Sequence, residues 1–366
     1  MKIECVKDKL ENAVKQAEKI TGKNLTLPVL SCILLQAKDN YLIIKSTNLD
    51  LGIEIKLPVK VEKEGVIAAP GTVLSSFVSN LQADKNIKLE VIDGNLYIST
   101  LKNKTTIKTL PSEDFPTIPI LPKDKIFLIN ISDFINGLKS VWYSSSISSI
   151  KPELGSVFIY FEDENMVFVA TDSFRLAEKR MKVKKNKEWN GVLIPFKNIS
   201  EIIRIFDGQK GEMEISMTKN QISFSFEGIY LTSRVIDGTF PDYKQIIPKE
   251  FKTEAVILKQ DLLNALRLSN VFSDKFNQVN VKVRKGDKSF EIKTKNADVG
   301  ENMDKMDAVI EGDDVDMNFN FKYIIDCMQS IPSDSIAISF NGPSKPMVIR
   351  GVSDKSFTYL VMPMNR

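Results

Sequence analysis

The sequence predicts an α+β chain of three tandem, similar domains, each built from antiparallel strands and two helices. Three observations carry that prediction. A strand-like stretch followed by an aspartate and an apolar-periodic helix occurs three times, as IECVKDKLENAV from Ile3, FLINISDFINGL from Phe127 and VILKQDLLNALRL from Val256. An apolar strand runs into a second helix at Pro70, Pro195 and Asn320, in two equal steps of 125 residues. A DFP at 114–116 returns as TFP at 239–241, again 125 residues on. Several features recurring in one order at one spacing are the mark of internal repetition.

The elements follow in chain order. Asp8, Asp133 and Asp261 open the first helix of each repeat, where a carboxylate can cap orphan backbone N–H groups. On the first helix Leu10, Ala13, Val14 and Ala17 form the apolar side, with Lys15, Lys19 and Lys23 opposite and Glu11 and Glu18 on one flank. Strands containing Thr47, Thr171 and Thr294 come next. Stretches such as VFVATD and ISFSFEGIYLTSRV alternate as half-buried antiparallel strands do. The second helices carry sets such as Ile199, Ile202, Ile203, Phe206 and Phe321, Ile324, Ile325, Met328. Lys197 and Arg204 oppose the former set. Proline-rich segments read as linkers and divide the chain into domains 1–121, 122–248 and 249–366.

Composition excludes several function classes. A net charge of +3 on 366 residues is nearly neutral, so any nucleic-acid contact needs local sorting of charge. The chain has no histidine, which removes histidine-based triads and histidine-ligated zinc and leaves only carboxylate or lysine catalysis open. The acidic run at 311–316 lacks calcium-loop spacing and reads as a solvated turn. No phosphate loop occurs, and no cofactor or metal is expected. Cys5, Cys32 and Cys327 form no CxxC and read as small hydrophobes in a reducing, cytoplasmic setting. No secretory leader and no apolar run of ~20 residues is evident.

LTLPVLSCILLQ (25–36), STNLDLGIEI (46–55), TLPSEDFP (109–116), VATDSFRLA (169–177), VIDGTFPDYKQIIP (235–248) and the ending YLVMPMNR (359–366) resemble the bacterial DNA sliding clamp, the β subunit of DNA polymerase III. The resemblance runs the length of the chain. It implies a DNA-clamp fold in which two chains join head to tail as a ring. Sheets form the outside, helices line the inside, and duplex DNA threads through without regard to sequence. Two helices per domain would place twelve around the hole. At about 9–10 Å between neighbours their axes lie on a circle roughly 34–38 Å across. Subtracting a helix diameter of about 10 Å leaves an opening on the order of 25–28 Å. That admits a duplex and a layer of water.

The resemblance also implies site residues. Lys15, Lys19, Lys23, Asn24, Lys197 and Arg204 become contacts to the DNA backbone. A groove between the second and third domains is expected to receive a short peptide motif. Its partners would be the polymerase III catalytic subunit, the ATP-dependent clamp loader and other replication and repair proteins. The matching positions begin with Leu154, Thr171, Ser173, Phe174, Arg175 and Leu176. They continue with Pro241, Gln245, Ile246, Pro346, Leu360, Met362, Pro363 and Met364. Methionine and proline give such a groove an adaptable apolar surface, and Arg175 is expected to bond peptide carbonyls or a carboxylate. Thr105 and Ile107 are expected to meet Phe272 and Phe276 of a second chain. Phe174, Thr72 and the Asn365-Arg366 end depart from the family's usual residues. Two other readings stand beside this one: a repeated peptide-binding scaffold that never encircles DNA, and an enzyme using a carboxylate pair.

Overall fold

A computed structural model describes residues 1–22, 26–82, 85–122, 126–148, 150–183 and 191–364. Among these are helices α1 (Lys7–Ile20), α2 (Gly71–Asn80), α3 (Ile131–Val141), α4 (Phe196–Phe206), α5 (Lys259–Val271) and α6 (Phe321–Cys327). Each continues directly from a strand, so the two-helix rhythm read from the sequence recurs in every third.

That continuity corrects the expected role of the three aspartates. Val6 and Leu258 occupy the N-cap positions of α1 and α5, and neither helix has a side-chain cap. Asp8, Asp133 and Asp261 lie in the first turns, where their charge favours the helix dipole. The cap is supplied by backbone instead. The first helical N–H donates to a carbonyl just ahead of a neighbouring strand: Lys7 to Lys85 at 3.0 Å, Ile131 to Gly211 at 2.9 Å and Lys259 to Asp334 at 2.8 Å. At each of these helix starts one of the four orphan donors is thus satisfied by backbone.

The chain divides into two compact units, residues 1–132 with 197–235, and residues 133–196 with 236–366. The central third is therefore shared between them. The expected boundary at 121 falls inside the first unit, and that at 248 inside the second.

The first unit holds two antiparallel sheets. One has five strands in the order 60–63, 2–6, 86–92, 95–99 and 104–107. The other has eight, running 126–130, 212–217, 221–226, 229–234, 51–58, 41–47, 32–38 and 65–70. Its central and N-terminal portions join where Tyr230 lies opposite Glu54 and Thr232 opposite Gly52. The linker crosses this joint. Ile118 sits so close over Gly52 that a Cβ there would meet its Cγ2 at 2.9 Å. The Tyr230 hydroxyl accepts the Leu121 N–H at 2.9 Å and donates to the Pro119 carbonyl at 3.0 Å.

The second unit repeats the plan. A nine-stranded sheet runs 192–195, 156–162, 165–171, 175–182, 357–361, 347–351, 335–340, 253–258 and 309–312. A four-stranded sheet runs 300–307, 289–296, 278–284 and 315–320. The larger sheet joins central to C-terminal residues, with Leu176 opposite Leu360 and Glu178 opposite Thr358.

Helices seal these sheets with their apolar stripes. α1 buries Leu10, Ala13, Val14, Ala17 and Ile20. α4 buries Ile199, Ile202, Ile205 and Phe206, so Ile205 takes the place expected for Ile203. Each of the leucine, isoleucine, valine and phenylalanine side chains contributes about 1.5–3 kcal/mol by leaving water.

Candidate partner groove and nucleic-acid face

One turn occurs twice in the molecule. The Thr47 hydroxyl donates to the Leu51 carbonyl at 2.7 Å, and Thr171 does the same to Arg175 at 2.6 Å. The next residue, Asn48 or Asp172, accepts two backbone N–H groups: Asp50 and Leu51 in the first copy, Phe174 and Arg175 in the second. Both turns place their third residue, Leu49 or Ser173, at φ 77°. A side chain in that left-handed conformation is strained and is kept only where the surroundings fix it. The third repeat departs. Thr294 lies opposite Asn302 in a longer hairpin, and its buried hydroxyl bonds nothing among the described residues.

The second of these turns aims Phe174 outward, 62% exposed, and fixes Arg175 inward. The arginine is already engaged within the chain. Its Nε meets Asp172 at 2.9 Å, its Nη1 meets Asp326 at 2.5 Å, and its plane lies 4.4 Å from the centre of the Tyr323 ring. Tyr143 and Tyr359 continue this wall, with the Tyr359 hydroxyl donating to the Tyr323 carbonyl at 2.8 Å. Arg175 is thus a strut holding the turn to α6, its charge already matched. Sequence reasoning missed Asp326 and Tyr143, since nothing local marks a partner 151 residues away.

Beside the strut, Leu176 and Leu360 share an apolar cluster with Phe240, Tyr243 and Val348. A single 3-10 turn, Tyr243–Ile246, stands at its edge. Pro241, Gln245 and Ile246 are exposed there, and Gln245 Nε2 donates to Asp242 at 2.6 Å. The chain end closes the other side. Strand Phe357–Val361 is wholly buried, so that part of the tail is core. Met362, Pro363 and Met364 then emerge half-buried. The Met362 N–H donates to the Phe174 carbonyl and the Met364 N–H to the Asn318 carbonyl, both at 2.8 Å.

Leu154 and Pro346 are buried, as are Thr171, Leu176 and Leu360. Leu154 belongs to the loop that brings Glu153 against Gly238, and Pro346 leads into strand Met347–Gly351.

In the first unit Lys15, Lys19, Lys197 and Arg204 are all exposed. α1 and α4 approach closely enough for Arg204 Nη2 to donate to the Gln16 carbonyl at 3.5 Å. The flanking glutamates matter more than their place on the wheel suggested. Lys15 pairs with Glu11 at 2.5 Å, Lys19 with Glu18 at 3.2 Å and Arg204 with Glu201 at 2.6 Å. Lys197 has no ion pair among the described residues. Lys23 and Asn24 lie outside them, as do Asn365 and Arg366.

Strand 104–107 is an edge strand of its sheet in one unit, and strand 300–307 is an edge strand in the other. Thr105 is half-buried on the first, while Ile107 turns into its own core at 5% exposure. A contact along this strand therefore draws on backbone and Thr105, and the Ile107 side chain is a correction to the expected set. Phe276 is 57% exposed, and Phe272 is half-buried beside Gly300. A cavity of about 640 Å³ in the first unit, between Ile120, Leu128, Ser223 and Tyr230, contains none of the expected site residues.

Among the described residues no cluster of histidine, cysteine, aspartate and glutamate suits a metal ion, and no helix is long and apolar enough to cross a membrane.

Comparison with known proteins accounts for this arrangement. Residues 1–119 match the N-terminal domain of the DNA polymerase III beta subunit, 129–242 its central domain and 244–365 its C-terminal domain. The beta sliding clamp of Staphylococcus epidermidis is 24% identical, the match covering 100% of this chain and 99% of that protein. The DNA polymerase sliding clamp of Bacillus subtilis superposes with a TM-score of 0.95 at 25% identity, covering 100% of this chain and 99% of the other. The Thermotoga maritima beta subunit gives 0.93 at 25% identity, with the same coverage. The chain belongs to the DNA polymerase III beta-subunit family, the bacterial DNA sliding clamps, which are processivity factors and not enzymes.

Proposed function

We propose that two copies of this clamp close head to tail into a ring around duplex DNA and tether the polymerase III catalytic subunit through the groove beside Leu176 and Leu360. The observation that carries this reading is the succession of three clamp domains from residue 1 to 365, one after another in family order. A ring holds DNA by topology, so a chain of net charge +3 suffices. Lys15, Lys19, Lys197 and Arg204 contact the phosphates loosely, and the ion pairs of Lys15, Lys19 and Arg204 keep that contact weak enough for sliding.

The edge strands at 104–107 and 300–307 pair between chains by adding strand to strand. Thr105, Phe272 and Phe276 lie on or beside them. The ATP-dependent clamp loader and other replication and repair proteins take turns in the same groove, and the work is done in the cytoplasm at the nucleoid. Arg175 supports this groove from behind and does not ligate the peptide.

Primer extension on primed circular single-stranded DNA tests the reading, using the cognate polymerase and loader at limiting polymerase. Product length per binding event should rise sharply when the clamp is added. Unchanged length with a loader that hydrolyses ATP would refute the assignment.

A further inference from the structure

The turn that forms one side of the proposed groove is fastened from below by charges that the groove itself does not use. Glu178 projects from strand Arg175–Lys182 and is only 5% exposed. Its carboxylate accepts hydrogen bonds from the Tyr243 hydroxyl and, at 2.8 Å, from Arg180 Nε. The Tyr160 hydroxyl lies 2.7 Å from that of Tyr243. The next residue, Lys244, pairs with Glu162, which also holds Arg180 at 2.7 Å. The Lys244 ammonium lies 5.6 Å from the centre of the Tyr160 ring. Two consecutive residues of one short turn are thereby bound to strands Ser156–Glu162 and Arg175–Lys182.

Stability alone does not call for such an arrangement. A carboxylate withdrawn from water persists only where donors meet it, and an apolar substitute of equal volume often serves folding as well. Hydrogen bonds to a fixed charge add direction, which dispersion contacts lack. The direction here is specific. Tyr243 is 4% exposed and packs in the cluster that includes Leu176, Val348 and Leu360. Gln245 and Ile246 follow it into solvent. Burial, reinforced by the charge of Glu178, pushes the Tyr243 hydroxyl far above its ordinary range. It therefore stays a donor throughout the pH range in which the chain folds.

We propose that Glu178 is a positioning residue for the partner groove: acting through Tyr243, it sets the distance between the wall at 245–246 and the floor at Leu176 and Leu360. That distance is the width of the slot into which a partner's apolar side chain fits. Glu178 and Tyr243 thus select among peptides by size without touching them. The inference rests on the groove reading given above.

The test uses the full chain and fluorescence anisotropy. The probe is a fluorescein-labelled copy of the polymerase's clamp-binding motif, beside the same peptide with its largest aliphatic side chain shortened by one methylene. Tyr243→Phe keeps the ring and removes the donor, Glu178→Gln keeps the shape and removes the charge, and the double variant combines them. Each single variant should weaken the parent peptide by about 3- to 10-fold, the scale of one net hydrogen bond. Each should also narrow the preference for the longer side chain over the shortened one. The double variant should be no weaker than the worse single variant, because both act along one path. If Glu178→Gln fails to fold, Tyr243→Phe decides alone.

Variants that melt earlier but keep wild-type affinity and preference would overturn the proposal and leave the groove standing. A wild-type chain that stays on circular DNA yet ignores the peptide would instead sink the groove reading, and this inference with it.

Discussion

Arg175 and Asp326 face each other at 2.5 Å, Nη1 to Oδ2, and this pair fastens the turn at 171–175 to α6. The arginine is 11% exposed at its side chain and the aspartate 41%. Solvent reaches the acid, so the pair is worth less than a buried one. Asp326→Ala should destabilise the chain by about 1 kcal/mol, less than the roughly 1.5–3 kcal/mol of a shielded hydrogen bond to a charged group. Arg175→Lys should cost as much or more, because one ammonium cannot serve Asp172 and Asp326 in the planar geometry of a guanidinium. Urea unfolding measures both. A lysine variant as stable as wild type would remove the strut from the account.

Glu162 supplies a pH signature. The hydrogen bond from Lys244 holds its carboxyl below the usual range, against the opposing pull of burial and with help from Arg180. A group whose folded pKa is depressed stabilises the fold above its unfolded value, about 4.3 for glutamate. That contribution fades as pH falls through the folded value. Wild type should therefore be more stable than Glu162→Gln at pH 6, and the gap should close on the acid side of 4. Urea midpoints that keep a constant gap down to pH 3 would contradict it.

The cysteines should be inert. Burial pushes the Cys5 thiol up to about 12 and the Cys327 thiol well above its ordinary value, and raises that of Cys32 as well. Only the thiolate reacts at a useful rate. An aromatic disulfide reagent at pH 8 should release no colour from the native chain and three equivalents after denaturation. Fast labelling of any one thiol in the native state would show that its burial is overstated.

The basic face makes an unequal prediction. Lys19 is paired with Glu18, whereas Lys197 has no ion pair among the described residues. Lys197→Ala should therefore flatten the salt dependence of direct DNA binding by about 0.9 in slope, the value for one phosphate contact. Lys19→Ala should change it less. Binding measured by anisotropy from 20 to 200 mM salt separates them, and slopes unchanged from wild type in both variants would place neither lysine at the phosphates.

Local pattern made much of the fold legible. The helices at Pro70, Pro195 and Asn320 begin where an apolar strand turns to 3.6-residue periodicity, and the stripes of α1 and α4 are largely the ones read from spacing. What spacing cannot carry is pairing between distant segments. Nothing near Tyr230 announces that it will lie opposite Glu54, or near Leu176 that it will lie opposite Leu360. The division of the central third between two units follows from those pairings. The same blindness explains the aspartates: a carbonyl beyond the reach of local sequence had already taken the capping role. Thr294 was grouped with Thr47 and Thr171 by composition, but its longer hairpin places the hydroxyl where no acceptor waits. At the candidate site the floor and tail residues were proposed from family resemblance. Asp326, Tyr323, Glu178 and Tyr160 were not, because their roles depend on who stands opposite them.

Closure around DNA is the central claim, and topology tests it most directly. The clamp is loaded onto nicked circular DNA, the DNA is linearised in half the sample, and both halves are washed in 1 M salt. A ring should remain on the circle and slide off the linear form. Equal loss from both, as expected of a protein held by charge alone, would contradict the account.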